Sequence, residues 1–388
     1  MVDEKEMEPR LVAAPNELQA LLKDIDGAAR IAVDIESNGM FAYRPSICTV
    51  QLAWITPDGR THVAIVDTLA CHVSGLASLI ENREIIKVIH DLAFDARVLH
   101  LEQVDLCAVR DTSVAASYLG KPGTGLASLL GNELGVHVGK EMQNSDWARR
   151  PLSRESLAYL AGDVSHLLTL DTLLTREVAE AGIADEVATE TAYRLIDALQ
   201  VESDTRPPHL RIRGNEKLDG IGRRVLEGIA AVREDVAEGQ NLPPQRIIND
   251  KLLLTIADQR PRSIHDLLRF RALKRLDQRN QDKLLQAIRE AVAEGPASTP
   301  PPPAAERLPH KVLVVRKGLE KRLQTWRRAE AERRQVHEQV VLPTHCLRRL
   351  VNAPINTPEA VAAMPGFGPA RAQRYATLLA NMMRDDRR

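Results

Sequence analysis

Between residues 30 and 67 lie three short apolar-rich runs: RIAVDIES (30–37), whose side chains alternate in character, ICTVQLAWI (47–55) and THVAIVD (61–67). Runs of this length between short turns predict strands. Asp58-Gly59 marks the second connection, and links this short predict antiparallel pairing. Residues 72–82 then show a helical period, 85–90 (IIKVIH) reads as a strand and 91–101 (DLAFDARVLHL) as a helix, followed by a short segment to Asp111. From Asp111 the pattern is helical: 111–119, 125–134, a long piece from Ser153 to about Gly182, and 185–203. Strands, then strand and helix in alternation, then helices alone predict an α/β layered domain with helices packed on a mixed sheet.

Thr205-Arg206-Pro207-Pro208 closes that domain. Residues 215–295 look all-helical: a helix over 216–238 stops at Gly239, Pro243-Pro244 makes a break, short helices start near Asn249 and Ser263, and a last one covers 276–294. The Pro-rich segment 295–305 (GPASTPPPPAA) predicts an extended, semi-rigid linker. A second helical unit, at about 310–383, repeats the plan of long helix, Pro break and short helices, with Pro358 in the place of Pro261. The two units read as a diverged tandem repeat. The expected domains are 1–205, 213–296 and 306–388.

Composition adds little until it is divided along the chain. An apolar share of 44% and a charged share of 27% are ordinary for a globular protein. The net charge of −1 conceals a polarity: residues 1–205 hold 32 acids and 17 bases, 206–300 hold 13 and 18, and 301–388 hold 8 and 17. An acidic front joined to a basic rear suggests that the rear holds a polyanion, though solvated helix faces give the same count. The acidic, polar start (MVDEKEMEPR) does not resemble a secretory or transit peptide, and no uncharged run approaches the roughly 20 residues of a membrane span. Cys48, Cys71, Cys107 and Cys346 are scattered, with no C-x-x-C pair, so they read as small buried hydrophobes in a reducing compartment. A cytoplasmic protein is expected, with no membrane partner. No long heptad or apolar stripe implies an oligomer, and a monomer is favoured.

Within RIAVDIES, Ile31, Val33 and Ile35 share one face, while Asp34 and Glu36 share the other, roughly 7 Å apart along the strand. Two carboxylates so placed repel unless a cation lies between them, and oxygen ligands suit Mg²⁺ or Mn²⁺. A solvated acidic strand face is the alternative. Asp95 lies on a helix whose apolar face is Leu92, Val98 and Leu99; Asp91 suits the helix-opening position better than Asp95 does. In RESLAYLAGDVSHLLTL, Tyr159 and Asp163 are four apart and share a helical face, beside a buried stripe of Leu157, Leu160, Val164, Leu167 and Leu168.

The ordered set D-x-E, D, Y-x-x-x-D resembles the DEDD superfamily of 3′→5′ exonucleases, in its tyrosine-containing branch, and within it the ribonuclease D family. The resemblance runs through VDIESNG, YRPSICTVQLA, VIHDLAFDARVL, RDTSVAASYLG, GKEMQNSDWARRPL and AYLAGDVSHLL, and the two helical units look like HRDC modules. The IES after Asp34 departs from the family, which often has an aromatic after the Glu. The resemblance implies a ribonuclease H-like exonuclease domain followed by two all-α HRDC-like domains. It also implies hydrolysis of RNA from its 3′ end to nucleoside 5′-monophosphates, with tRNA precursors and other structured RNAs as substrates. Two divalent ions, Mg²⁺ or Mn²⁺, would be held by Asp34, Glu36, Asp95 and Asp163, and Tyr159 would orient the attacking water. A DNA substrate, or a scaffold that binds nucleic acid without cutting it, are the other readings.

Further contacts come from the remaining motifs. Lys140 and Arg150 are candidates to meet phosphates, and Trp147 reads equally as a stacking platform for a base or as a core residue. Asp146 and Pro151 would shape their loop, and His90 and His166, near the expected site but with no partner that the sequence names, read as satisfied, partly buried histidines. In AAMPGFGPARAQRY, Gly366 and Gly368 resemble the turn of a helix-hairpin-helix, whose backbone N–H groups grip a phosphate, with Arg371 and Arg374 alongside. A plain helix–helix turn fits the same residues. GLEKRLQTWRRAEAERRQ, with Trp326 among clustered bases, is either a phosphate-binding face or a solvated helix.

Overall fold

The structure, a computed structural model, describes residues 8–139, 141–200, 204–297 and 309–385. They fall into two compact units, one drawn from 1–36, 47–201 and 309–388, the other from 37–46 and 202–308.

The first unit is built on a six-stranded sheet of β1 (Arg10–Val12), β2 (Arg30–Ser37), β3 (Ile47–Ile55), β4 (Thr61–Asp67), β5 (Ile86–Ile89) and β6 (Val109–Asp111), in the order β1-β4-β3-β2-β5-β6. The β3–β4 pair is antiparallel, as the short Asp58-Gly59 connection requires, whereas β1–β4, β2–β5 and β5–β6 are parallel. Eight helices flank it: α1 (Pro15–Ile25), α2 (Ala77–Ile80), α3 (Ala93–Leu101), α4 (Thr112–Tyr118), α5 (Leu126–Leu129), α6 (Arg154–Ser165), α7 (Leu167–Glu180) and α8 (Ala184–Leu199). Strand alternation sends Ile31, Val33 and Ile35 into one core with Leu21, Ile25, Ile80 and Leu99, while Ala32 and Val88 join Val114, Leu129, Leu168 and Leu174 in another. Each such Leu, Ile or Val contributes about 1.5–3 kcal/mol by leaving water.

Several features depart from the sequence reading, two of them close to the site. The run expected as one helix from Ser153 to Gly182 divides at His166 (φ −110°), where the Ser165 hydroxyl donates to the Ala161 carbonyl at 2.6 Å and competes for it with the helix backbone. Asp91 does not open α3: it takes a left-handed φ of 66°, and the helix starts at Ala93 after an uncapped Leu92.

The second unit holds α9 (Pro208–Arg211), α10 (Gly220–Gln240), α11 (Pro244–Ile247), α12 (Asp250–Gln259), α13 (Ile264–Leu267) and α14 (Gln278–Glu294). Side chains of Asp219, Asn249, Ser263 and Asp277 cap four of these helices, around a core that includes Val225, Ile229, Leu253, Ile256, Leu284 and Ile288. Residues 37–46 belong with these helices. Tyr43 donates to Glu234 at 3.1 Å, Arg44 pairs with Glu238, and the Arg246 guanidinium lies 4.5 Å from the centre of the Phe41 ring.

The last helices are α15 (His310–Arg334), α16 (Glu338–Val341), α17 (Thr344–Asn352), α18 (Pro358–Ala362) and α19 (Pro369–Asp385). They share a core of Leu323, Leu342, Leu347, Leu350, Phe367 and Leu379. Rather than standing apart, they belong to the first unit, with α16 against α4 and α19 against α8.

Candidate active site

Parallel pairing of β2 with β5 brings the C-terminal ends of both strands to one edge of the sheet. Asp34 and Glu36 lie at the end of β2, and Asp95 in the first turn of α3, which follows β5. The third element is α6, started by Ser153, whose hydroxyl accepts from the Ser156 N–H at 3.1 Å, and packed on β3 and β4. It delivers Tyr159 and, one turn on, Asp163. One carboxylate oxygen from each of Asp34, Glu36 and Asp163 lies within 4.8 Å of the others. Asp95, 5% exposed, stands outside that trio but close enough to feel the charges of Asp34 and Glu36.

Among the described residues, no cationic side chain figures in the causes that move these pKa values. Burial raises Asp34 to about 6, against a smaller lowering by the Ile35 backbone. Glu36 rises to about 8 through burial and then through Asp34 and Asp163, and Asp163 to about 8 through burial and Asp34. Burial, then Asp34 and Glu36, drive Asp95 well above its ordinary range, and burial followed by Asp163, Glu36 and Asp34 raises the Tyr159 phenol. Oxygen-only donors, converging and mutually repelled, are the donor set that a hard divalent ion needs.

Known proteins match along the same divisions. A 3′→5′ exonuclease family model matches residues 9–179, and an HRDC domain model matches 222–292 and 316–382. The ribonuclease D of Zymomonas mobilis is 34% identical over 291 residues, 73% of each chain. That of Gluconacetobacter diazotrophicus is 32% identical over 275 residues, 69% of this chain and 67% of the relative. The chain belongs to the ribonuclease D family. It is a 3′→5′ exoribonuclease, with its exonuclease domain in front and HRDC domains behind. The fold agrees with that of Escherichia coli RNase D, at a TM-score of 0.68 and 20% identity over 98% of this chain and 99% of that one. It agrees also with the catalytic core of RRP6 from Trypanosoma brucei, at a TM-score of 0.62 and 23% identity over 75% of this chain and 84% of that one.

Several residues that the ribonuclease D resemblance suggested for nucleic-acid contact are engaged within the protein. Lys140 lies outside the described residues. Trp147 is 2% exposed and packs with Cys48, Ile65 and Leu160, its ring stacked on Tyr159 at 5.6 Å, so it is a core residue and no platform for a base. Arg150 is not free for a phosphate: its Nε and Nη2 donate to Asp67 at 2.6 and 2.7 Å, and Nη1 and Nη2 to the carbonyls of Trp147 and Cys48 at 2.6 and 2.9 Å. Burial opposes ionisation of Asp67, but the guanidinium holds its carboxyl below the usual range.

The glycine turn before α19 is likewise turned inward. Gly366 and Gly368 have φ of 73° and 77°, which glycine alone adopts freely. A Cβ on Gly366 would lie 2.7 Å from the Tyr193 ring, and one on Gly368 2.7 Å from Thr189, both on α8. The turn is therefore a close-packed joint between helices and not an open phosphate grip. Arg371 is wholly buried there, donating to the carbonyls of Val340 and Phe367 at 2.8 and 3.0 Å and to the Tyr118 hydroxyl at 3.1 Å. Arg374 and Arg334 both pair with Glu186 of α8. Burial, a required φ and apolar neighbours, which a short motif does not reveal, separate these residues from a true anion site.

One residue that shapes the site carried no functional reading. The Asp111 carboxylate accepts from the N–H groups of Ser113 and Val114, capping α4, and from those of Asp91 and Leu92, at 2.8–3.3 Å. It thereby holds the left-handed bend that launches α3 and Asp95. The signal was present, since an Asp directly before Thr-Ser at the start of a helical pattern is a capping signature. His90, by contrast, has its Nδ1 2.8 Å from the Thr112 hydroxyl and is kept below its ordinary pKa by burial.

Proposed function

We propose that the enzyme hydrolyses the terminal phosphodiester of single-stranded RNA 3′ ends with the help of two divalent ions, Mg²⁺ or Mn²⁺. Nucleoside 5′-monophosphates are released, and its substrates are structured cytoplasmic RNAs such as tRNA precursors. The convergence of Asp34, Glu36 and Asp163 within 4.8 Å, with Asp95 adjacent, carries this reading. Asp34, Glu36, Asp163 and Asp95 are the residues that would hold the ions. When bound, the ions stabilise charge on the attacking and leaving oxygens of an in-line displacement at phosphorus.

Tyr159 orients the attacking water through its hydroxyl. With its pKa raised by burial and by the neighbouring carboxylates, the phenol keeps its proton and acts as a hydrogen-bonding group. The basic α15 holds the body of the RNA, with exposed Lys317 and Lys321 meeting phosphates. Escherichia coli RNase D, an exoribonuclease involved in structured RNA processing, supports the substrate class.

A 5′-labelled single-stranded RNA with Mg²⁺ or Mn²⁺ is expected to shorten stepwise from its 3′ end, faster than the matching DNA. Asp34→Ala is expected to abolish cutting while the fold persists. Wild-type cutting by that variant would remove the site assignment.

A further inference from the structure

The conversion of Trp147 and Arg150 from RNA contacts to internal ones leaves a question of purpose. The Trp147 carbonyl accepts from Arg150 Nη1 at 2.6 Å. The same guanidinium is anchored twice to the sheet, through both oxygens of Asp67 at the end of β4 and through the Cys48 carbonyl in β3. The indole ring so fixed lies against Tyr159, centroids 5.6 Å apart and planes at 28°. Its Nε1 is buried with no hydrogen-bond partner among the described residues.

We propose that Trp147 is a positioning residue for Tyr159, held by the Asp67–Arg150 clamp so that strands β3 and β4 set where the phenol points. The proposal rests on the reading of Tyr159 as the group that orients the attacking water. A tyrosine on a helix face turns about two side-chain bonds, and a ring packed flat against it selects one rotamer. Arg150 suits the clamp because its planar fork spends two N–H groups on a carboxylate and still has others for carbonyls. Trp147 acts through Tyr159 and touches no substrate.

Steady-state kinetics on a labelled single-stranded RNA test this, with Trp147→Leu, Tyr159→Phe and the double variant, and with Arg150→Lys as a change remote from the acids. Melting temperatures are recorded for each. Expected are a kcat lowered by about 10–100-fold in Trp147→Leu with KM within threefold, and a double variant no slower than Tyr159→Phe alone, the mark of two groups acting as a unit. Trp147→Phe, which keeps the ring wall, is expected to recover most of kcat. Arg150→Lys is expected to lower kcat more than it raises KM, and it carries the test if Trp147→Leu does not fold. Unchanged kcat in folded Trp147→Leu or Arg150→Lys, or losses that multiply in the double variant, overturn the proposal while Tyr159→Phe remains impaired. Wild-type turnover in Tyr159→Phe overturns the water-orienting role and this proposal together.

Discussion

Removing a charge from the acidic cluster is expected to stabilise the metal-free protein while it disables the enzyme. The perturbation is Asp34→Asn, which keeps the shape and takes away the carboxylate. Burial lifts Asp34 from 3.8 to about 6, so holding it ionised costs the fold about 3 kcal/mol at pH 8, at about 1.4 kcal/mol per unit. The sign follows from proton counting. Between about pH 4 and 6 the folded state binds more protons here than the unfolded one, so stability falls as pH rises through that window; Glu36 and Asp163 extend the fall to about 8. The asparagine escapes its share of the loss. At about 2–4 °C per kcal/mol for a domain of this order, Tm in EDTA should rise by about 6–12 °C at pH 8 and by almost nothing at pH 4. Scanning calorimetry at both pH values reads this directly. Added Mn²⁺ should then raise the wild type more than the variant, because the variant has lost a ligand. A variant no more stable than wild type at pH 8, or equally stabilised at both pH values, refutes the reasoning.

Other perturbations probe the supports of the site. Arg371→Ala takes the guanidinium from the carbonyls of Val340 and Phe367 and leaves the Tyr118 hydroxyl with Glu190 alone, and should cost about 3 kcal/mol or more by thermal denaturation; a Tm within 1 °C of wild type would show that the joint is not stabilising. Asp111→Ala removes four amide bonds at the start of α3 and α4, for an expected loss of about 2–3 kcal/mol, and should lower kcat by displacing Asp95; unchanged kcat would separate the cap from the chemistry. Tyr159→Phe should lower kcat while Mn²⁺ binding, followed by titration calorimetry, stays within about threefold; equal loss of both would make Tyr159 a determinant of the metal site.

The legible parts of the molecule were those written in local period. β2, β3 and β4 form over the short apolar-rich runs that lie between turn signals, and β2 also shows the alternation of a strand with two distinct faces. Asp34 and Glu36 were visible as acids inside an apolar strand, Asp163 as the helical-face partner of Tyr159 that the family resemblance joined to them, and the structure brings the three acids together. β1 and β6 were missed because three residues are too few to show a period. α1 was missed although its signal is clear, with Pro15 at the helix start and Leu18, Leu21, Leu22 and Ile25 at helical spacing. The errors at Arg150, Gly366, Gly368 and Arg371 share a cause. A basic or glycine-rich motif states which bonds a segment can make, but whether the partner is a phosphate or another part of the same chain depends on contacts up to 253 residues away.

The docking of α19 on α8 also has a consequence for how the protein is made. A ribosome delivers α8 long before α19: about 170 residues separate them, roughly 10–35 s of synthesis at ordinary rates. For most of that interval Glu186, a buried carboxylate in the finished enzyme, lacks Arg334 and Arg374, while Glu190 has Arg194 of its own helix beside it. Helices α10 to α14, which pack chiefly on one another, have time to mature first. The nascent front domain is left to wait, its acidic seam open, for a clasp translated last.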